Sequence, residues 1–331
     1  MMIRSEESVL ITGGTGSLGH ALVSKLLKCK FPPKRIIMYS RDEYKQMKMG
    51  EEFGHHPHLR FFLGDVRDRE RLTKAMADVQ YVFHAAALKQ VPACEYNPRE
   101  AVKTNVEGAN NVIDACIYQG VKQVVALSSD KAVNPINLYG ATKLVAEKLF
   151  ISGNAMSGKR TRFSVVRYGN VLASRGSVVE TFRECMRKDE PVVITDPKMT
   201  RFWWTINEAV QFVLDVNKNM IGGEVFLPKI GSSGIMTLVK AVAAMERVKT
   251  LKKPIITGIR PGEKMHESLM APDEVHRTHD LGWAYAIYPS LKFFDMDNRL
   301  ENKVPSDFVY SSSKEDMRVD DLVFKLETIG K

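Results

Sequence analysis

The chain has little cysteine: four in 331 residues, at Cys29, Cys94, Cys116 and Cys185, with no C-x-x-C pair. That excludes a disulfide scaffold and favours free, buried thiols in a reducing cytoplasm. Long apolar runs are missing too, and none nears the roughly 18 residues that a membrane helix needs, so no membrane partner is expected. The opening stretch, Met1-Met2-Ile3-Arg4-Ser5-Glu6-Glu7-Ser8, is polar and acidic where a secretory signal would carry an apolar core. No internal repeat and no low-complexity tract occurs, which excludes a solenoid or a collagen-like fibre. Acidic residues fall short of basic ones, 39 against 48, for a net charge of +9. The basic residues are scattered rather than gathered in a block, so nucleic acid is not the expected partner. Small ligands carrying several phosphates account for the excess.

What is present is an ordinary globular composition, 44% hydrophobic and 26% charged, long enough for about two structural units at roughly 150 residues each. Val9–Ile11, Ile36–Tyr39, Leu59–Leu63, Tyr81–Phe83, Val124–Leu127 and Ser164–Val166 are short apolar runs that read as strands. Between them lie helical patterns, the first carried by Leu18, Ala21, Leu22, Leu26 and Leu27. Strand and helix in alternation predict a doubly wound parallel α/β sheet of the Rossmann type. Its strands are expected to be buried on both faces, because they are continuous rather than alternating apolar runs. After Val171 strands are expected to thin out among loops such as Gly222-Gly223, Gly231–Gly234 and Arg260–Gly262. The expected division is 1–171, with a segment returning near 203–226, for a dinucleotide-binding domain. A smaller mixed domain would take 172–202 and 227–331.

Between the first strand and its helix lies Thr12-Gly13-Gly14-Thr15-Gly16-Ser17-Leu18-Gly19. Glycines at 13, 16 and 19 let the backbone approach a pyrophosphate, and the helix behind presents its N–H groups and positive dipole end. Placed after the first strand of an α/β chain, this turn predicts a dinucleotide. An acidic residue ending the second strand would meet a ribose 2′-hydroxyl. Ser40-Arg41 stands there instead, with Lys45 a turn later. Arg41 can stack on adenine and pair with a 2′-phosphate, which favours NADP over NAD. Asp65, after the third strand, could meet the adenine amino group or cap the next helix.

Ser128-Ser129-Asp130-Lys131 follows the fifth strand, and ten residues beyond Ser129 comes Tyr139, which with Lys143 makes a Y-x-x-x-K spacing. On a helix this places both side chains on one face. A tyrosine with a pKa near 10 is protonated at neutral pH. The ammonium of Lys143 would favour its phenolate and let Tyr139 act as a base toward a hydroxyl. Lys143 could also hold the nicotinamide ribose. His55-His56-Pro57-His58 lacks cysteine or carboxylate partners at ligand spacing and reads as a polar loop, so no metal is expected.

These features resemble the extended short-chain dehydrogenase/reductases. The segments Ile11–Ser17, Tyr39–Glu43, Gly64–Asp68, His84–Lys89, Ser129–Ala132, Asn134–Lys143, Val166–Val171, Met199–Trp203 and Gly258–Glu267 are similar to one subgroup. It is that of the UDP-N-acetylglucosamine 4,6-dehydratases of the inverting, pseudaminic acid pathway type. The likeness runs over nearly the whole chain and weakens after about residue 275. Two positions depart from it: Ser129 stands where threonine is common, and Gln90 where histidine is frequent.

The resemblance implies catalysis by Ser129, Asp130, Lys131, Tyr139 and Lys143. Tyr139 would take the C4 hydroxyl proton. Lys131 would remove the C5 proton, provided that Lys143 or burial lowers its ammonium pKa. Asp130, with a raised pKa, would protonate the leaving C6 hydroxyl. The implied NADP contacts are Gly13, Thr15, Gly16, Ser17, Leu18, Gly19, Ser40, Arg41, Lys45, Asp65, Val66, Ala85, Ala86, Tyr139, Lys143 and Val171. Lys89 and Asn170, at the carboxyl ends of strands, together with Met199, Thr200, Arg201, Arg260 and Glu263 would hold UDP-N-acetylglucosamine. Arg201 and Arg260 would meet the diphosphate. A homo-oligomer, dimer or hexamer, is expected from the family. Retention at C5 is the nearest alternative, followed by a UDP-sugar 4-epimerase, against which Asp130-Lys131 argues. A non-enzymatic NADP sensor is disfavoured by the intact Ser129, Tyr139 and Lys143.

Overall fold

Ser8–Thr12 (β1) is buried at every residue and pairs in parallel with Arg35–Ser40 (β2) on one side and Tyr81–His84 (β4) on the other. The computed structural model describes residues 3–158, 160–172, 176–291, 293 and 301–329, so parts of the expected 172–202 and 227–331 stretches lie outside it. The further strands are Leu59–Leu63 (β3), Gln123–Leu127 (β5), Arg162–Val166 (β6), Asn170–Val171 (β7), Val193–Ile194 (β8), Thr200–Trp204 (β9) and Val225–Pro228 (β10). Ser232–Gly234 (β11), Ile255–Ile256 (β12), Thr278–Asp280 (β13) and Ala284–Ile287 (β14) complete them among the described residues. They form a nine-stranded sheet, β3-β2-β1-β4-β5-β6-β10-β14-β13, and two small sheets, β11-β9-β7 and β12-β8.

The order follows from the sequence. Successive residues of a strand face opposite sides, so an all-apolar strand must be covered by helices on both. Leu10, Ile37, Val82 and Val124 meet Val112, Ile113, Ala146 and Phe150 on one face. Val9, Ile11, Ile36 and Phe83 meet Leu22, Val23, Leu26 and Val213 on the other. Each such side chain, once fully buried, contributes about 1.5–3 kcal/mol. All six strands expected before Val171 are present.

Three expectations need correction. The strand β3 is not buried on both faces: Leu59 is buried, but Arg60 and Leu63 are exposed, because β3 is an edge of the sheet. Strands also do not thin out after Val171, since β8 to β14 all follow it. Most are only two to four residues long, too short to leave a pattern in the sequence. Of the four thiols, Cys94 and Cys116 are buried, but Cys29 is exposed and Cys185 half-buried.

The chain re-enters the large sheet at β10, parallel to β6. Trp204 and the helix Ile206–Asn219 before it, through Val210, Val213 and Val216, share the core of the first helix. The antiparallel pair β13 and β14 also joins this sheet, although the sequence reading placed that stretch in the smaller region. A separate core of Leu172, Val179, Phe182, Trp203, Leu238 and Leu322 holds the smaller sheets and their helices.

Candidate active site

The carboxyl ends of β1, β2, β4, β5 and β6 open into a cleft of about 1010 Å³. Its floor is the glycine turn. Gly13 has φ +64°, and a Cβ on it would stand 2.8 Å from the backbone nitrogen of Ala86. A Cβ on Gly19 would stand 2.2 Å from the carbonyl oxygen of Gly14, so helix and turn touch backbone to backbone. Gly16 caps the helix Ser17–Leu27 without any side-chain hydrogen bond, which leaves its first N–H groups directed at the cleft's contents. The residues present therefore fit the diphosphate of a dinucleotide. Thr15, Ser17, Leu18, Ala85, Ala86, Val66 and Val171 line the same cleft.

Ser40, Arg41, Lys45 and Asp65 gather at the far end of the cleft. Ser40 is buried and bonded by the Gln46 amide. The exposed Arg41 guanidinium reaches Asp65 at 3.4 Å, and Lys45 pairs with Asp42 at 2.8 Å. Asp65 does not cap the next helix. Asp68 does, accepting from the Arg71 backbone at 2.9 Å, while Asp65 is held by Arg67 at 2.7 Å. Burial would raise the Asp65 pKa, but the hydrogen bonds and charge of Arg67 overcome it and hold the carboxyl below its usual range.

Ser129, Asp130, Lys131, Tyr139 and Lys143 come together at the end of β5. Asn137 caps the helix Leu138–Met156, accepting from Gly140 N–H at 2.8 Å, and so fixes where Tyr139 and Lys143 begin. Ser129 caps the short turn Asp130–Ala132 and donates to Asp130 Oδ1 at 2.9 Å. Lys131 Nζ donates to the same oxygen at 3.0 Å and lies 3.5 Å from Glu267 Oε1. Asp130 Oδ2 is buried without a partner.

The two lysines exchange their expected characters. Burial pulls the Lys131 pKa down, but the carboxylates of Asp130 and Glu267 more than reverse this, and the net shift is upward. Lys131 thus rests as an ammonium rather than as the amine that a lowered pKa would give. The lowered lysine is Lys143, brought to about 8 by burial against the opposing charge of Glu147. Its ammonium donates to the Leu127 carbonyl. Burial raises Tyr139, and the charge that opposes this is that of Lys131, helped by the Ser129 hydroxyl, rather than that of Lys143. His84 lies behind Lys143, 2.8 Å from Thr12 Oγ1, and burial lowers its pKa to about 3, so it adds no charge.

Lys89 and Asn170 line the cleft, and Asn170 Oδ1 is buried there without a partner. Met199, Thr200, Arg201, Arg260 and Glu263 are outside its lining. Arg201 donates to the carbonyls of Thr200 at 2.7 Å and Met265 at 3.1 Å, with Met199 Sδ beside it. Arg260 and Glu263 pair with each other near the surface.

Three residues escape the sequence reading. Asn105, in a π-helical turn at Lys103–Glu107, bonds both Leu88 N–H at 2.8 Å and Leu88 carbonyl at 2.9 Å, and so holds the loop that carries Lys89. Arg167, fully buried, joins Glu147 at 2.7 Å and Glu274 at 2.8 Å. Glu267 joins Lys131. The π-helical turn leaves no pattern to read, and the other two depend on contacts between distant parts of the chain. The only sequence signal for Glu267 is its place at the end of the Gly258–Glu267 segment.

The glycine turn at β1, the serine after β5 and Y-x-x-x-K on the next helix define an extended short-chain dehydrogenase/reductase. More narrowly, the chain belongs to the family described as "polysaccharide biosynthesis protein", whose model matches residues 9–289. A UDP-N-acetylglucosamine 4,6-dehydratase (inverting) of Campylobacter jejuni is 50% identical over 318 residues, 93% of either chain. A UDP-glucose 4-epimerase of Rickettsia felis is 43% identical over 285 residues, 85% of this chain and 83% of its own. The X-ray structure of Pen from Bacillus thuringiensis superposes with a TM-score of 0.90 at 36% identity, covering 99% of this chain and 100% of that one. No described helix is long and apolar enough to cross a membrane.

Proposed function

We propose that the protein is an NADP-dependent, inverting UDP-N-acetylglucosamine 4,6-dehydratase. One observation carries the reading. A buried carboxylate and a lysine, Asp130 and Lys131, touch at 3.0 Å beside Tyr139. An epimerase or simple reductase needs a base at one hydroxyl, but an elimination needs an acid and a base together. The name of the C. jejuni relative supports the substrate and the inversion at C5. The epimerase named among the relatives keeps a 4-epimerase as the second reading.

A bound nicotinamide dinucleotide would supply reversible hydride transfer, and Arg41 at the end of β2 favours the 2′-phosphorylated form. Lys143 would hold its ribose, and the Gly13–Gly19 turn its diphosphate. Tyr139 takes the proton of the C4 hydroxyl. A proton passing from Lys131 Nζ to Asp130 Oδ1 turns the resting ion pair into an amine and a carboxylic acid. The amine then removes the C5 proton, the acid protonates the departing C6 hydroxyl, and the ion pair is restored as water leaves. This route needs no lowered Lys131 pKa, because the proton that Lys131 gives up is the one Asp130 delivers.

Two assays on one sample test the reading. Mass spectrometry after incubation with UDP-N-acetylglucosamine should find a product lighter by one water. Protein denatured beforehand should release NADP rather than NAD. An isomer of unchanged mass would favour the epimerase.

A further inference from the structure

Glu267 is almost completely buried; its Oε1 lies 3.5 Å from Lys131 Nζ, and its Oε2 accepts no hydrogen bond. Its backbone is pinned from both sides: Glu267 N–H donates to Ser312 Oγ at 2.9 Å, and Ser312 N–H donates to the Glu267 carbonyl at 2.8 Å. The neighbouring His266 ring is tied to Thr200 Oγ1 at 2.8 Å. A fixed backbone thus delivers a second carboxylate to Lys131, whose Nζ also meets Asp130. A buried carboxylate is costly to keep unless it is paired.

We propose that Glu267 is a positioning residue for the elimination: its carboxylate, 3.5 Å from Nζ, holds the Lys131 ammonium in place against Asp130. The inference rests on the dehydratase reading, because only an elimination uses that pair as acid and base. The charged groups facing Glu267 are Asp130 and Lys131 from the turn after β5, Arg201 from β9, and Lys264 from its own loop, 4.0 Å from Oε2. Burial disfavours a charge on Glu267 and Asp130 repels it, which raises its pKa, while Lys131, Arg201 and Lys264 oppose the rise. With Glu267 in place, the pair keeps its one shared proton to higher pH. Without it that proton is lost sooner, and Asp130 has none to give the leaving hydroxyl.

The test is Glu267→Gln, which keeps the shape and removes the charge, beside Glu267→Asp, which keeps the charge. Single turnovers with UDP-N-acetylglucosamine separate two steps. The rise of reduced-nicotinamide absorbance reports C4 oxidation at Tyr139, and its decay with release of the 6-methyl product reports elimination and hydride return. Glu267→Gln should leave the rise within about twofold and slow the decay on the order of tenfold or more, as for loss of acid–base assistance. The alkaline limb of the decay should move to lower pH, and Glu267→Asp should restore its position in part. A purely structural role would slow both steps alike at every pH and would overturn the proposal, as would wild-type decay in Glu267→Gln. Wild-type protein that makes no dehydrated product would instead refute the dehydratase reading, and the proposal with it.

Discussion

Lys131, which lines the cleft, and Lys143, which does not, end up with opposite proton affinities because of what each is buried against. Lys131 has carboxylates at 3.0 and 3.5 Å, and an opposite charge at that range favours the charged form. Lys143 has a backbone carbonyl and a distant Glu147, and burial wins. The consequence for stability can be measured. An unfolded lysine titrates near 10.5, and folded Lys143 at about 8. Below pH 8 both states hold the proton, and folding carries the full cost of the buried charge. Between about 8 and 10.5 the folded state has released it and the cost disappears. Lys143→Met should therefore gain stability over the wild type at pH 7, up to about 3 kcal/mol from the size of the shift. That advantage should vanish by pH 10.5, as read by urea unfolding across the range. The spacing of Tyr139 and Lys143 was legible because it is local. Their electrostatics were not, since Glu267 and Glu147 act through space, and the proviso that Lys131 have a lowered pKa is not met.

At the scale of elements, the site depends on where helices start. Asn137 does two things at once. Its Oδ1 caps the helix Leu138–Met156 at Gly140 N–H, and its Nδ2 donates to the Gly262 carbonyl at 2.8 Å. It thereby ties the start of that helix to the loop bearing Arg260, Glu263 and Glu267. Asn137→Ala should cost about 1 kcal/mol for the lost cap, seen as a lower melting temperature. It should also slow the decay of reduced-nicotinamide absorbance more than its rise, because the released loop carries Glu267 while the Tyr139–Lys143 spacing is kept. The glycine turn could be read from sequence because Gly13 needs its positive φ and Gly19 its contact with nearby Gly14, both local demands. The strands β8 and β12 could not, being two residues each and defined only by pairing with one another.

For the whole molecule, the buried group of Arg167, Glu147 and Glu274 joins the end of β6, the helix Leu138–Met156 and the turn before β13. Arg167 draws Glu274 to an ionised state against its burial. Arg167→Met would strand two buried carboxylates, and removal of one partner of such a group costs on the order of 3–5 kcal/mol. The expected result is a large fall in denaturation midpoint with the sheet still formed in the protein that folds. Arg167 and Glu274 are 107 positions apart, which is why the triad is invisible in the sequence while the first six strands, each an apolar run beside its helix, are plain in it.

The central claim is that Asp130, Lys131 and Tyr139 eliminate water from UDP-N-acetylglucosamine. Proton NMR of the purified protein with this substrate in D₂O, without added cofactor, tests it most directly. A new 6-methyl signal, deuterium at C5 and couplings at C5 that report inversion are expected. An unchanged substrate spectrum, from protein shown to carry NADP, would contradict it.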